Sequence, residues 1–224
     1  MMQKNTLQIL TPSSLPIGAA FLAADDLILT CAHVVTAALG GPGDKITLCT
    51  PSGMTLTATV ESETWRDEKG EDIATLRLDG ALTEMQPLPL GASSASKGHS
   101  FSTYGFPKPD QALSGSGTIT GRATINGIKF LQLESAQVTP GFSGAPVFDE
   151  ATQRVIGMVV AIAPPDEYQR QGTTAFAVPA ETLRAIVPEL QLSERCPYRS
   201  LDAFTEADAD LFFGRSRVVT KLLE

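Results

Sequence analysis

The sequence predicts an all-β protein made of two small antiparallel barrels, and three observations support this prediction. Short segments recur in which apolar residues alternate with threonine or other polar residues, and a period of two is typical of β-strands. These segments fall into two groups on either side of a linker, which covers about residues 80–97. The 224 residues include 19 Gly and 15 Pro, which favour the many turns that short strands need.

The first barrel is expected over about residues 15–80. The segments IGAAFLAA and LILTC flank two aspartates and predict a hairpin. AHVVTAALGG then predicts one or two helical turns that end at Gly40 and Gly41. KITLCT, MTLTATVES and DIATLRLD add further strands. Residues 1–14 carry no clear signal.

The second barrel is expected over about residues 98–178. Its segments are, in order, HSFSTYGF, ALSGSGTITGRA, GIKFLQLESAQV, APVFD, RVIGMVVAIA and TTAFAV. PAETLRAIVPEL follows, with Pro179 where a helix would start and apolar residues at helical spacing behind it. We therefore expect a C-terminal helix over about residues 179–190.

Composition excludes several classes of function. The net charge is -8, and phosphate binding needs clustered Lys and Arg, so nucleic acid is not an expected partner. Three cysteines are too few, and odd in number, for a disulfide framework. The sequence shows neither a signal-peptide pattern nor an apolar run of membrane length. We expect a cytoplasmic protein with reduced thiols and no membrane partner.

The stretch TPGFSGAPVFD, residues 139–149, places a serine between two glycines. Proline, glycine and serine are common in turns, so a plain turn is one interpretation. The other is a nucleophile, Ser143, which would need a base to take its proton. The chain has only two histidines. His33 lies in LTCAHVV, between a strand and a helix, whereas His99 opens a strand, where a structural role is the simpler interpretation.

Asp72 is the candidate for the carboxylate that orients a histidine base. Alternation along DIATLRLD puts it on the apolar face of the expected strand. A carboxylate on such a face needs a partner, and an imidazole N–H of His33 would supply one. Asp67 and Asp79 are weaker candidates because both are expected in solvated turns. The alternative for Asp72 is a turn residue at the start of a strand.

The order His33, Asp72, Ser143 separates two arrangements of serine hydrolase. An α/β-hydrolase carries its serine in G-x-S-x-G and places the acid and histidine after it. Here Ala145 replaces the last glycine and no histidine follows the serine. The observed order fits the chymotrypsin type instead. Gly141 would let its own N–H and that of the serine point at one oxyanion.

On these motifs the chain resembles a trypsin-like serine protease of the chymotrypsin fold, and within that fold the bacterial HtrA/DegP-like group. The matching segments are IGAAFLAADDLILTCAHVV, EDIATLRL, TYGFP, TPGFSGAPVFD, RVIGMVVAI and FAVPAETLRAIV, which span roughly residues 15–190. The resemblance implies two six-stranded barrels with the site between them, a peptide or protein substrate, and no cofactor or metal. It assigns the triad to His33, Asp72 and Ser143, and the oxyanion hole to the backbone of Gly141, Phe142 and Ser143.

The chain departs from digestive trypsin-like enzymes just before the nucleophile. Phe142 stands where those enzymes have an aspartate that pairs with a newly cut N-terminus, and no IVGG-type motif is present. The oxyanion loop must therefore be set by other means, such as packing of Phe142 or a partner domain.

The resemblance also places a substrate pocket. Gln137 would lie at the base of the P1 pocket, and its lack of charge predicts an uncharged P1 residue. The walls would come from Met158, Val159, Val160, Ala161, Thr174 and Phe176. The strand GMVVAIA would offer its edge to the substrate backbone.

The tail, residues 191–224, resembles the segment that opens the NTPase module of bacterial STAND proteins. CPYR and FFGR carry this resemblance, whereas the phosphate-binding G-x-x-x-x-G-K-[ST] motif does not occur. The resemblance implies that residues 1–190 are the effector end of a longer conflict or defence protein, with a C-terminal NTPase and sensor region as partner. A plain amphipathic helix starting near Gly214 is the alternative.

Three functions remain open at this point. The chain is an active serine endopeptidase, a silent protease-fold module that binds peptides, or another acyl hydrolase that uses the same residues. A cysteine hydrolase is disfavoured, because Cys31 lies near His33 but no cysteine has a glycine frame.

Overall fold

The computed structural model describes residues 2–80, 82, 85–108, 110–162 and 173–193. Backbone contacts divide the chain into a unit of residues 1–193 and a second unit of residues 194–224. Residues 194–224 of the expected STAND-like segment (191–224), including the expected helix near Gly214, lie outside the described residues. No described helix is both long enough and apolar enough to span a bilayer.

The N-terminal half of the first unit is a closed barrel of six antiparallel strands. The short helix α1 (Met2–Asn5) precedes it, and the strands are β1 (Thr6–Leu10), β2 (Pro16–Leu22), β3 (Leu27–Thr30), β4 (Lys45–Cys49), β5 (Thr55–Val60) and β6 (Ala74–Leu78). Their order around the barrel is β1-β2-β3-β6-β5-β4, closed by pairing of β1 with β4.

The barrel starts earlier than the expected boundary near residue 15, which is therefore wrong. β1 was not predicted because TLQIL is short and does not show one wet face. Four of its five residues are buried, and Leu7 and Ile9 are fully so. A strand covered on both faces lacks the clear alternation on which the sequence prediction depended.

Helix α2 (Ala32–Ala37) lies between β3 and β4, as expected, but it does not end on a glycine. The left-handed residue after it is Leu39, with φ 65°, and the N–H of Gly40 then donates to the carbonyl of Val35 at 3.0 Å. A Cβ at Gly40 would lie 2.3 Å from Cδ1 of Ile46 in β4, so a side chain there would have to displace the end of that isoleucine.

The C-terminal half forms a second closed barrel of six antiparallel strands. They are β7 (Ser100–Lys108), β8 (Gln111–Ile125), β9 (Ile128–Glu134), β10 (Pro146–Asp149), β11 (Arg154–Ile162) and β12 (Thr174–Pro179). Their order is β10-β11-β12-β9-β8-β7, closed by pairing of β10 with β7. The predicted fold of two six-stranded barrels is thus confirmed.

Helix α3 (Ala180–Ile186) is shorter than the expected helix over 179–190. Its last turn gives way at Val187, which has φ -120° and ψ 83°. Pro188 follows, and a proline disfavours the helical conformation in the residue before it. Leu183 is fully buried and anchors the helix on the core.

The two barrels share buried apolar surface. One core cluster joins the first barrel to α3 and to residues of the second barrel, including Met158 and Val178. The other fills the second barrel and includes Ala19 of the first. The segment between the barrels is also packed, since Leu88 and Leu90 are nearly fully buried. This continuity holds the facing surfaces of the two barrels in a fixed relation.

Candidate active site

The Asp72 carboxylate makes two hydrogen bonds to His33, near the start of α2. Its Oδ2 lies 2.5 Å from Nδ1 of His33, and its Oδ1 accepts the backbone N–H of His33 at 2.9 Å. The carboxylate is largely buried, with 11% of its side chain exposed, whereas 32% of the imidazole is exposed. His33 is therefore fixed in position and still reachable from solvent.

The backbone that places Asp72 here is a turn, whereas the alternation of apolar residues predicted a strand. It does not lie in β6, which starts at Ala74. Its φ is 58°, a left-handed conformation that aspartate tolerates better than most residues, and its N–H donates to the carbonyl of Asp67 at 3.1 Å. The turn turns the side chain toward His33, so the expected pairing forms although the expected strand position is wrong.

Ser143 is held against the first barrel by its own backbone. Its carbonyl accepts the N–H of Ala19 in β2 at 2.8 Å. A Cβ at Gly18 would lie 3.2 Å from that carbonyl and 2.7 Å from Cγ1 of Val34, the residue after His33. The nucleophile candidate thus sits at the junction of the barrels, beside the helix that carries the histidine.

Gly144 allows this close approach. Its φ is 84°, and a Cβ there would lie 2.0 Å from the carbonyl oxygen of Ala19 and 2.6 Å from Oγ1 of Thr30. The Gly144 N–H donates to the carbonyl of Val159 at 2.8 Å. No other residue type fits here, because any side chain would push the serine away from the first barrel.

The Ser143 hydroxyl makes no hydrogen bond within the part of the chain that the structure describes. The side chain is half-buried, so it is open to solvent or to a substrate. The hydrogen bond expected between the Ser143 hydroxyl and the His33 ring is therefore not formed in this structure. Such contacts are often long before a substrate binds and shorten in the reacting complex.

The loop before the serine is a tight turn. The N–H of Phe142 donates to the carbonyl of Thr139 at 3.1 Å, and Gly141 has φ 97°. Proline second and glycine third in the turn suit type II geometry. The N–H groups of Gly141 and Ser143 have no acceptor among the described residues. Phe142 is the exception to the expected oxyanion set, because its N–H is consumed by the turn.

The Phe142 side chain locks this loop onto the second barrel. The ring is fully buried, and a Cβ at Gly105 would lie 2.6 Å from its Cγ and Cδ1. Gly115 makes room on β8, where a Cβ would lie 3.1 Å from Cε1. The Gly141 carbonyl also accepts the N–H of Phe106 at 3.0 Å. The sequence left two ways to set this loop, packing of Phe142 or contact with a partner domain. The described residues show the packing of Phe142.

The residues expected around the P1 pocket divide by exposure. Gln137 and Ala161 are exposed, and Thr174 and Phe176 are half-buried. The side chains of Met158, Val159 and Val160 are 0%, 2% and 6% exposed and belong to the cores. Those three side chains are buried in this structure, and the expectation that this stretch lines the pocket stays a prediction. This strand, β11, is strongly apolar because its side chains pack alternately into the two core clusters.

Gln137 is held in place from the neighbouring strand. Its Oε1 accepts the backbone N–H of Ser116 at 2.9 Å and the hydroxyl of Ser116 at 3.0 Å. The amide therefore presents its nitrogen away from β8.

A cavity of about 370 Å³ opens beside His33. Trp65 and Thr36 line it, together with Asp67, Glu68 and Lys69 of the loop that leads to Asp72. This loop was not expected to contribute to the site. The cavity gives a substrate access to the imidazole from the side of the first barrel.

Two further polar arrangements were not expected from sequence. Cys31, just before α2, is fully buried and donates its S–H to the carbonyl of Val159 at 3.3 Å. His99 pairs with the fully buried carboxylate of Asp149, with Nδ1 to Oδ2 at 2.9 Å. Local sequence gives no signal for either, because the partners are separated by 128 and 50 positions.

A family model described as a trypsin-like peptidase domain matches residues 18–158. The chain belongs to this family. The match includes all three residues that the sequence assigned to the triad. No match to a curated protein sequence reaches significance.

Solved structures share the fold of this trypsin-like peptidase domain. The active form of the Rv3671c protease from M. tuberculosis is 20% identical, with a TM-score of 0.65, and the alignment covers 87% of this chain and 84% of that one. An inactive serine-to-alanine mutant of Rv3671c from strain H37Rv is also 20% identical, with a TM-score of 0.65 and coverage of 84% and 87%. The HtrA-type protease AlgW, solved with a tripeptide, is 22% identical, with a TM-score of 0.64 and coverage of 82% and 58%. Family and fold together support a serine peptidase.

Proposed function

We propose that this trypsin-like domain is a serine endopeptidase in which His33, Asp72 and Ser143 form the catalytic triad. The observation that carries the proposal is the pairing of His33 Nδ1 with Asp72 Oδ2 at 2.5 Å, next to a serine fixed at the barrel junction. A largely buried carboxylate that holds both the backbone and the ring of one histidine is suited to orient a base.

Asp72 sets the tautomer of the base. Its carboxylate accepts a hydrogen bond from the Nδ1–H of His33, so Nε2 keeps a lone pair that can take the hydroxyl proton of Ser143. The serine oxygen then attacks the peptide carbonyl, and the carbonyl π electrons move onto its oxygen. The negative Asp72 stabilises the imidazolium that results.

The free N–H groups of Gly141 and Ser143 would stabilise the oxyanion, an effect of about 3–4 kcal/mol for each donor. When the tetrahedral intermediate collapses, the C–N bond breaks and the amine leaves with the proton from Nε2. Water then repeats the sequence on the acyl-enzyme: His33 takes its proton, the hydroxide oxygen attacks, and Ser143 leaves with that proton. Both steps return the enzyme to its starting protonation.

The substrate backbone would pair with the end of β11. Beyond Val159 this strand pairs with β12 on one side, and the described residues supply no strand on the other. A free strand edge can add an extended peptide. With Gln137 uncharged near the P1 position, the peptide is expected to carry an uncharged aliphatic or polar P1 residue.

The larger context is proposed from the tail sequence alone. CPYR and FFGR favour an effector domain joined to a STAND-type NTPase and sensor region, in a cytoplasmic protein of bacterial conflict or defence. In that setting the attached region would be the partner that controls the peptidase.

One observation favours a second candidate, a silent or latent module that holds peptides without cutting them. The Ser143 hydroxyl has no hydrogen bond to His33 in the described structure, so the nucleophile is not yet activated. A free strand edge and an open cavity are sufficient for binding alone. Acylation of the serine separates the two candidates.

The test is labelling by a fluorophosphonate probe, which reacts with an activated serine. We expect the purified chain to be labelled, and Ser143→Ala and His33→Ala not to be. Ser100→Ala and His99→Gln serve as matched controls, since one removes an exposed hydroxyl and the other replaces the second histidine with another donor. Equal labelling of Ser143→Ala and the unmutated chain would overturn the assignment. No labelling of the unmutated chain favours the silent module.

A peptide library then distinguishes an endopeptidase from another acyl hydrolase. An endopeptidase cleaves internal amide bonds with a defined P1 preference. A chain that is labelled and hydrolyses only activated esters would belong to the other class.

A further inference from the structure

Cys31 occupies a central position that the proposed mechanism does not use. It is the residue before α2, two positions from His33, and it is fully buried. Burial, and then the negative charge of Asp72, raise the pKa of its thiol well above the ordinary value. The sulfur therefore keeps its proton at neutral pH and can act as a hydrogen-bond donor.

The thiol lies between the two halves of the candidate site. Its S–H donates to the carbonyl of Val159 at 3.3 Å, and that carbonyl also accepts the N–H of Gly144 at 2.8 Å. The sulfur, one His33 ring nitrogen and one Asp72 oxygen all lie within 4.8 Å of one another. The thiol thus joins residue 31, two positions before His33, to the backbone directly behind Ser143, and it lies within 4.8 Å of the His33–Asp72 pair.

The same three residues carry a sulfur, a nitrogen and an oxygen, which is a possible metal-ligand set. The distances argue against this role. His33 Nδ1 and Asp72 Oδ2 are 2.5 Å apart, whereas a zinc ion needs about 2.0–2.2 Å to each ligand and so holds them farther apart. The distance between His33 Nδ1 and Asp72 Oδ2 is therefore that of a hydrogen bond and not of two ligands on one metal ion.

We propose that Cys31 is a positioning residue, whose thiol holds the His33–Asp72 pair in register with the Gly144–Val159 backbone behind the nucleophile. This inference rests on the proposed function. The two barrels carry different members of the triad, so catalysis depends on their relative placement to within a fraction of an ångström. Cys31 contributes a polar link at that junction, where the surrounding contacts are mostly apolar.

The test compares Cys31→Ser, Cys31→Ala and a control, Val35→Ala, in the full chain. Serine keeps a donor at residue 31 and alanine removes it. Val35 is a fully buried residue of the same helix outside the triad, so its truncation costs packing but no polar link. The measurements are the fluorophosphonate labelling rate, the downfield proton resonance of the His33 Nδ1–H, and the melting temperature.

We expect Cys31→Ser to keep most of the labelling rate and the resonance. Cys31→Ala should lose about three- to tenfold in rate, the range for one lost hydrogen bond, and its resonance should broaden or disappear. Val35→Ala should lower the melting temperature and leave both other readouts unchanged. A purely structural role for Cys31 would instead make Cys31→Ala behave like Val35→Ala.

Two outcomes would overturn the inference: Cys31→Ala matching the unmutated chain in rate and resonance, or Cys31→Ser failing as badly as Cys31→Ala. Failure of the proposed function looks different. If the unmutated chain is not labelled, the peptidase proposal fails, and the resonance of the His33–Asp72 pair in the same variants still decides whether Cys31 positions it.

Discussion

The ring of Phe142 lies against the backbone of Gly105, so closely that a Cβ at residue 105 would be 2.6 Å from two of its atoms. The phenylalanine belongs to the loop before Ser143, the proposed oxyanion loop, and the glycine belongs to β7 of the second barrel. In this way the core of the barrel fixes the backbone just before Ser143. This packing is one of the two means by which the sequence led us to expect this loop to be set.

Gly105→Ala tests that relationship. The added methyl group must displace the ring, which should cost about 1–3 kcal/mol of stability and move the Gly141 and Ser143 N–H groups. Since one oxyanion donor is worth about a hundredfold or more in rate, we expect labelling by a fluorophosphonate to fall at least about tenfold. Gly80→Ala is the control, because a Cβ at Gly80 meets nothing within 4 Å. An unchanged labelling rate in Gly105→Ala would show that the loop is set by something else.

Asp72→Asn separates the charge of the acid from its shape. Asparagine keeps the size of the side chain and tolerates the φ of 58° at this position, so the fold should survive. Its amide favours the wrong imidazole tautomer, and we expect the acylation rate to fall by about 10⁴-fold. The measurement is the rate of single-turnover acylation, with Asp67→Asn as the control from the same loop. A loss below tenfold would argue against a triad role for Asp72.

The two-barrel fold could be predicted from the sequence, and the expected pairing of His33 with Asp72 forms, whereas the catalytic roles assigned to the site residues stay predictions. The order His33, Asp72, Ser143 and the glycines beside the serine follow from local chemistry, and local sequence records that chemistry. The argument for Asp72 nevertheless used alternation along a strand, and the residue lies in a left-handed turn before the strand. The Asp72 carboxylate is buried and paired because a left-handed turn directs it toward His33, which strand alternation does not predict.

Several features that depend on distant contacts were not predicted. β1 shows no exposed face, since four of its five residues are buried in the folded chain. Met158 is an apolar residue near the expected pocket, and only the packing of two barrels against each other decides that it belongs to the core. The link from Cys31 to Val159 joins residues 128 positions apart. Such pairings arise from tertiary structure, which a single sequence does not state.

Gln137→Asp tests the expected position of the P1 pocket. The shorter carboxylate would place a negative charge near the base of the pocket, so relative kcat/KM for Lys or Arg at P1 should rise by about tenfold or more. Gln137→Asn is the matched control, since it shortens the side chain equally and adds no charge. The measurement is cleavage of a peptide library that varies only at P1. If both variants keep the original P1 preference, Gln137 does not line that pocket.

Arg77 tests the electrostatics of the first barrel. Its guanidinium contacts Asp26 at 2.7 Å, Glu61 at 2.9 Å and Glu189 at 2.5 Å, and it is 31% exposed. Burial alone would lower its pKa, but hydrogen bonds to Glu189, Asp26 and Glu61 outweigh that effect and raise it. The group is charged in both folded and unfolded chains at pH 7, so its stabilising contribution is fully present there.

Arg77→Met should cost about 1–2 kcal/mol of unfolding free energy at pH 7, because three carboxylates are left to repel one another in the folded state. Carboxylic acids in general protonate at about pH 4, and a protonated carboxyl group neither repels its neighbours nor pairs with an arginine. The difference in unfolding free energy between the variant and the unmutated chain, measured by denaturant unfolding, should therefore be smaller at pH 4 than at pH 7.

Lys45→Met, which breaks the more exposed pair with Asp79, is the control, and its unfolding free energy should differ little from that of the unmutated chain at either pH. A difference for Arg77→Met that stays constant with pH would mean that the arginine stabilises the barrel by packing and not by charge.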